Sequence, residues 1–235
     1  MSGSPMVIHH KDGAVPPWVK RGHHHRGITI SVAECHTIGV ALQQRMVKQQ
    51  ARELAVALLN RVWQTGDGAS QMAGFTLTHR PSGQPVGEHP LLGEYAVSIS
   101  HSHSWYAGAT SDTAVGIDLQ QYRTFGTTAW RYAFAAGEQH WGRVQACAAW
   151  AIREAFLKSH GCGLPYRLRD IRIDWHNALV SHPGQLECRQ FWLWYSLDWV
   201  CALCFPLQGS LMTDMDIVVV PGGSIEQQGE YHHGE

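Results

Sequence analysis

Apolar and polar positions alternate in short runs separated by one long helical pattern and a second, shorter one. Ile28-Thr-Ile-Ser-Val32 alternates with the period of a half-buried strand. From about Gly39 to Trp63, Leu42, Met46, Ala51, Leu54, Ala55, Leu58, Leu59 and Val62 approximate the stripe of an amphipathic helix. Gly66-Asp67-Gly68 stops it. Phe75–Thr78 predicts a short strand, and Pro81-Ser-Gly-Gln-Pro85 a turn. Tyr95–Ser100, Trp105–Thr110 and Ala114–Leu119 predict three strands, the last two joined by a turn at Ser111-Asp112. A second helical half begins near Ala129 and contains a helix from Trp150 to His160, which Gly161 and Gly163 end and Pro165 keeps from resuming. Strand signals return at Ile171–Trp175, Ala178–Val180, Gln190–Leu197 and Val200–Phe205. Helix-plus-strands therefore occurs twice. The expected fold is α+β, a pseudo-twofold pair of similar lobes, each a small antiparallel sheet packed with a long helix. The expected division is a flexible leader over 1–27, an N-terminal lobe over 28–112, a C-terminal lobe over 113–215 and a tail over 216–235.

Composition narrows the function classes. A chain of 235 residues can bury a substantial core, and ten tryptophans supply large packing surfaces. The formal net charge of −1 gives no global field for nucleic acid or an anionic membrane, so a polyanionic ligand needs a local cluster of cations. The richest apolar run, Phe191–Phe205, is interrupted by Asp198 and does not predict a membrane span. The start has no apolar signal-peptide region, so a cytoplasmic protein is expected. Six scattered cysteines form no disulfide framework, and Cys201-Ala-Leu-Cys204 sits in an apolar run that predicts a buried strand with cysteines as small hydrophobes. Of sixteen histidines, seven cluster near the ends, at His9-His10, His23–His25 and His232-His233, without a carboxylate or cysteine partner at defined spacing. They are expected to be solvated.

Three segments carry candidate chemistry. On a strand through Asp118, Val115, Ile117 and Leu119 share one face while Asp118 and Gln120 share the other, and an oxygen pair at that spacing can serve one hard cation. A strand end with Asp118 merely exposed has the same pattern. Trp150, Glu154 and Lys158 lie four residues apart on one helical face, which equally describes an ordinary surface ion pair. Ser98-Ile-Ser-His-Ser-His103 presents three hydroxyls on one side of a strand end, able with His101 to hold a phosphate.

In this order the segments resemble the two-lobed 4'-phosphopantetheinyl transferases of the surfactin and enterobactin type. The family's S-I-S-H-S, G-[IV]-D-x-E and W-x-x-K-E-[AS]-x-x-K motifs correspond to Ser98–Ser102, Gly116–Gln120 and Trp150–Lys158, and its G-K-P turn to Gly83-Gln84-Pro85. The resemblance spans roughly residues 28–205. It implies transfer of the phosphopantetheine arm of coenzyme A to a serine of an apo acyl or peptidyl carrier protein, releasing adenosine 3',5'-bisphosphate. It implies magnesium, with manganese as an alternative, held by Asp118, Glu154 and Gln120. Glu154 would activate the carrier serine and Lys158 would neutralise the leaving phosphate. Arg52, Gly83, Gln84, Pro85, Ser100, His101 and Arg153 would contact coenzyme A. Gln120, Gln84 and Arg153 depart from the family's usual glutamate, lysine and lysine, and Arg45 and Lys48 are candidate compensating cations. A monomer is expected, with no nucleic-acid or membrane partner and a carrier receptor including Arg123, Phe125 and Arg143. Two alternatives remain: a weakened or non-catalytic relative that binds coenzyme A or carrier protein, and a histidine-rich metal-binding protein.

Overall fold

Val47, Ala51, Ala55, Leu58 and Leu59 recur every three to four residues and are all buried, so their segment forms one long helix, α1 (Val40–Gln64), with a single face on a sheet. The structure, a computed structural model, describes residues 7–9, 28–34, 40–64, 74–162, 166–184, 186–207 and 217–221. The terminal histidine clusters lie almost wholly outside the described residues.

Two sheets organise the chain. Strands β1 (Val7–His9) and β12 (Ile217–Pro221) flank the series. The first sheet contains β2 (Ile28–Glu34), β3 (Thr76–His79), β4 (Pro85–His89), β5 (Gly93–Ser102) and β6 (Trp105–Ser111). They pair antiparallel in the order β2-β6-β5-β4-β3, and β12 joins β2 in parallel. The second sheet contains β7 (Gly116–Gln121), β8 (Arg172–Asp174), β9 (Leu179–His182), β10 (Leu186–Tyr195) and β11 (Trp199–Pro206). Its antiparallel order is β7-β11-β10-β9-β8, and β1 runs parallel to the last residues of β10. Helices α2 (Thr127–Ala133) and α3 (Arg143–Ser159) belong with the second sheet. The fold is α+β with two lobes of similar build, as the repeated pattern predicts.

Side-chain parity stacks these elements in four layers. Ala51, Tyr106 and Val47 join α1 to one face of the first sheet, as do Ala55, Leu59 and Val97. Ala148, Ala149, Ile152 and Phe156 of α3 cover one face of the second, where Val200, Ala202 and Cys204 point. The remaining two faces meet each other: Ile28, Ile30, Ala107 and Ala109 pack with Ile117, Leu119, Cys201, Leu203 and Phe205, edged by Trp105, Trp192, Trp194 and Trp199. Cys201 and Cys204 thus point to opposite faces, both fully buried, and burial pushes both thiols well above their ordinary range. That geometry makes them core residues and excludes a shared redox or zinc site. No helix among the described residues is long and apolar enough to cross a membrane.

Two close approaches fix the sheets relative to their neighbours. A Cβ on Gly116 would lie 1.9 Å from the Ala155 carbonyl oxygen and 2.5 Å from the Ser159 nitrogen, so only glycine lets β7 lie this near α3. On its other side β7 does not pair with β6, the partner that the Ser111-Asp112 turn brings next to it in sequence. Instead the chain crosses to the second sheet, and the Ile117, Leu119 and Gln121 amides donate to the hydroxyls of Ser98, Ser100 and Ser102 on β5 at 2.9, 3.1 and 3.0 Å. Two period-two patterns are in register across the lobe boundary, and serine hydroxyls satisfy the amides of a strand edge that no backbone carbonyl reaches.

Candidate active site

Asp118 stands on the α3-facing side of β7 and is nearly inaccessible, 3% exposed. A buried carboxylate needs donors, and three side chains from three elements provide them. Ser100 Oγ of β5 and Lys158 Nζ of α3 each lie 2.7 Å from Oδ1, and Gln120 Nε2 lies 2.8 Å from Oδ2. Lys158 Nζ also donates to the Ile117 carbonyl at 3.2 Å. Lys158 therefore closes on β7, and the helix-surface pair with Glu154 allowed by the spacing is not what forms. Asp118 and Gln120 do share one face of the strand.

Glu154 precedes Lys158 by one turn of α3, on the same face, and is half-buried. Burial is the main cause that pushes its carboxyl above the ordinary glutamate range, the Asp118 charge adds to it, and Lys158 opposes both. Two carboxylates thus act on each other across the α3–β7 contact with one ammonium beside them. Among the described residues no three His, Cys, Asp or Glu side chains gather as a metal cluster. Two carboxylates and one amide suit a hard cation that keeps positions for phosphate oxygens and water, and a cation here would relieve the Asp118–Glu154 repulsion, the smaller of the two causes that raise Glu154.

Cations approach from the first lobe. Arg45, Lys48 and Arg52 occupy one exposed face of α1, set by their spacing of three and four residues. His101 is largely exposed near the end of β5, and its imidazole is pushed below its ordinary value by partial burial of the ring, then by the charges of Lys48 and Lys158. Lys48, Lys158 and His101 therefore share one electropositive zone beside Asp118. The Gly83-Gln84-Pro85 turn reaches the C-terminal end of α3, which carries Lys158. Gly83 adopts φ +84°, closing the turn with a 2.8 Å bond from its amide to the Arg80 carbonyl. Gln84 Nε2 lies 3.5 Å from the Lys158 carbonyl. Pro85 opens β4, opposite His79.

Two expected coenzyme A contacts are placed differently. Ser100 spends its hydroxyl proton on Asp118 and accepts the Leu119 amide, so it supports the carboxylate rather than facing a ligand phosphate. Arg153 is 1% exposed. Its guanidinium donates to the Ile171 carbonyl at 3.1 Å, to the Ala133 carbonyl at 2.7 Å and to Glu138. It is turned into the second lobe, about a quarter turn of helix away from Glu154, and ties α2 and the 3-10 turn at Ala136–Glu138 to α3.

The sequence did not single out Tyr132. Its hydroxyl donates to the Tyr166 carbonyl at 3.1 Å, and the Glu154 charge, after burial, raises its phenol, so it belongs to the surroundings of Glu154. Arg123 lies 4.9 Å over the Phe125 ring and 5.3 Å over Trp150, which stacks on Phe125 at 5.0 Å. A separate open cavity of about 670 Å³ lies along the face of α2 roughly opposite Tyr132, between Trp130, Phe134, Arg131 and Arg169, and includes none of the carboxylates described above.

The class defined by this fold and site is a two-lobed α+β protein with a carboxylate–lysine cluster at the α3–β7 contact, near a helix face that carries cations. Residues 114–204 match the model of the 4'-phosphopantetheinyl transferase superfamily. The chain is also similar to the 4'-phosphopantetheinyl transferase psf-1 of Bacillus pumilus, 29% identical over 116 residues that make up 46% of this chain and 47% of that protein. The chain thus matches about half the length of this curated relative. The resemblance carried by the motifs is borne out over the segment that holds Asp118, Gln120, Glu154 and Lys158.

Proposed function

We propose that the protein transfers the 4'-phosphopantetheine arm of coenzyme A to a serine of an apo acyl or peptidyl carrier protein. The observation that carries this is the convergence of Asp118, Glu154 and Lys158 at the α3–β7 contact, beside the Lys48–His101 zone. Asp118, Glu154 and the Gln120 carbonyl oxygen would hold magnesium or manganese, which supplies charge neutralisation and in-line placement of the pyrophosphate when bound. His101, Lys48 and Arg52 bind the nucleotide phosphates. Glu154 takes the proton of the carrier serine, directly or through a water, as the half-buried carboxylate of the site. The serine oxygen forms a bond to the phosphorus bearing the pantetheine arm, the bond to the bridging oxygen breaks, and adenosine 3',5'-bisphosphate leaves with its charge met by Lys158.

The carrier's acidic helix would meet the surface formed by Arg123, Phe125, Trp150 and Arg143, where Val144 and Leu197 are also exposed. Two fused lobes complete the site within one chain, so the working form is a monomer, and a cytoplasmic location matches the substrates. A second reading, binding without turnover, is favoured by one observation: Gln120 presents Asp118 with a donor where a glutamate would present a cation with a ligand. Incubating the protein with coenzyme A, magnesium and a panel of apo carriers separates the two. Transfer adds one phosphopantetheine to a carrier by mass, abolished by Glu154→Ala; no gain on any carrier with coenzyme A still bound supports the second.

A further inference from the structure

Ser98, Ser100 and Ser102 perform the same task for the backbone of β7, and the middle one does something more. Each accepts one amide of β7, but Ser100 also donates to Asp118 Oδ1 at 2.7 Å. The accepted Leu119 amide fixes where the Ser100 lone pair points, and so aims its proton at the carboxylate. Ser100 is 6% exposed and Asp118 3%, so bulk water is poorly placed to replace that donor. The other two donors sit at the ends of longer side chains and are wetter: Lys158 is 30% exposed along its side chain, and Gln120 is half-buried. An aspartate carboxylate rotates broadly about its last torsion unless both oxygens are held. Ser100 is the short side chain among the three, and the one mounted on the other sheet.

We propose that Ser100 is a positioning residue that orients the Asp118 carboxylate from the opposite lobe, and so sets how well Asp118 meets a divalent cation. This rests on Asp118 being a cation ligand, as in the proposed function. Donors that orient a ligating carboxylate govern metal affinity strongly.

The full chain is compared as wild type, Ser98→Ala, Ser100→Ala and Ser100→Thr. Mn2+ is titrated in the presence of coenzyme A, and free ion is counted by electron paramagnetic resonance against a coenzyme A blank. Both alanine variants lose one acceptor for a β7 amide, so both should melt lower than wild type, Ser100→Ala the more because it also takes a donor from the buried Asp118 carboxylate. Only Ser100→Ala should weaken Mn2+ binding, by about tenfold, and Ser100→Thr, which keeps the hydroxyl, should recover most of it. Equal Mn2+ affinity in the two alanine variants overturns the proposal, as does a wild type that binds no Mn2+. If Ser100→Ala does not fold, Ser100→Cys, a poor donor of similar shape, takes its place in the comparison. Carrier modification is followed in parallel. A Mn2+ difference without transfer to any carrier removes the transferase reading and leaves the role of Ser100 standing.

Discussion

Arg153 and Glu154 are neighbours in sequence with opposite surroundings, because about 100° of helix separates their directions. Glu154 lies within reach of the Asp118 charge, while Arg153 enters the second lobe and spreads one planar fork over Ile171, Ala133 and Glu138. A lysine offers a single compact ammonium to the same space. Arg153→Lys should therefore cost about 2–4 kcal/mol in denaturant unfolding, from buried partners left unmet, while the KM for coenzyme A stays unchanged. A raised KM with unchanged stability would return Arg153 to the phosphates. His101 makes a prediction of opposite kind. Its folded environment favours the neutral ring, chiefly through burial and then through Lys48 and Lys158, and a bound phosphate offsets those two charges. Ligand binding then takes up a proton, so affinity for adenosine 3',5'-bisphosphate should rise as pH falls from about 8 to about 6, the range of an imidazole. Calorimetry on wild type and His101→Gln subtracts the ligand's own titration; identical pH slopes would exclude His101. The motif spacing made Asp118, Glu154 and Lys158 legible, because catalytic side chains on one strand and one helix face keep fixed intervals. It gave Arg153 a charge but no direction.

Most elements follow from periodicity, and the departures have local causes. No strand is predicted at Pro85–His89, because Pro85 and Gly87 are poor strand formers. Gly87 is nonetheless required there, since a Cβ would meet Leu59 of α1 at 2.6 Å. The third helix starts seven residues before Trp150, where Arg143-Val-Gln145 and then Ala146 to Ala149 give no sharp apolar stripe. The three hydroxyls of Ser98–Ser102 appear polar and therefore solvent-facing, yet they point into the boundary between sheets. Sequence alternation reports which residues share a face, not what that face meets. At this scale Gly116→Ala is the sharpest test. Its methyl would strike the backbone of α3, and relieving that contact moves β7 away from Lys158. A loss of about 3 kcal/mol or more in thermal or denaturant unfolding is expected, together with a disproportionate fall in carrier modification. Retention of both would mean that β7 and α3 are less closely apposed.

The two sheets share one apolar layer, from Ile28 and Ala107 on one side to Leu203 and Phe205 on the other. Neither lobe can expose that layer without losing its support, so calorimetric unfolding should show one transition whose van't Hoff and calorimetric enthalpies agree. Two resolved transitions would show that the lobes melt independently. The twofold repetition of helix and strands was visible in the chain; their face-to-face stacking was not, because the residues that make it are ordinary strand residues until the two faces meet. Both chain ends extend this integration, as β1 joins the second sheet and β12 the first.

Hydroxyls meeting amides at every second position also restrict how this protein can change length. Deleting one residue from either strand between Ser98 and Gln121 would rotate the hydroxyls or the amides half a turn out of phase. On β7 the same slip would carry Asp118 from α3 to the apolar layer. Length variation in descendants of this chain should therefore collect in the turns and spare these two short stretches, whatever substitutions accumulate around them.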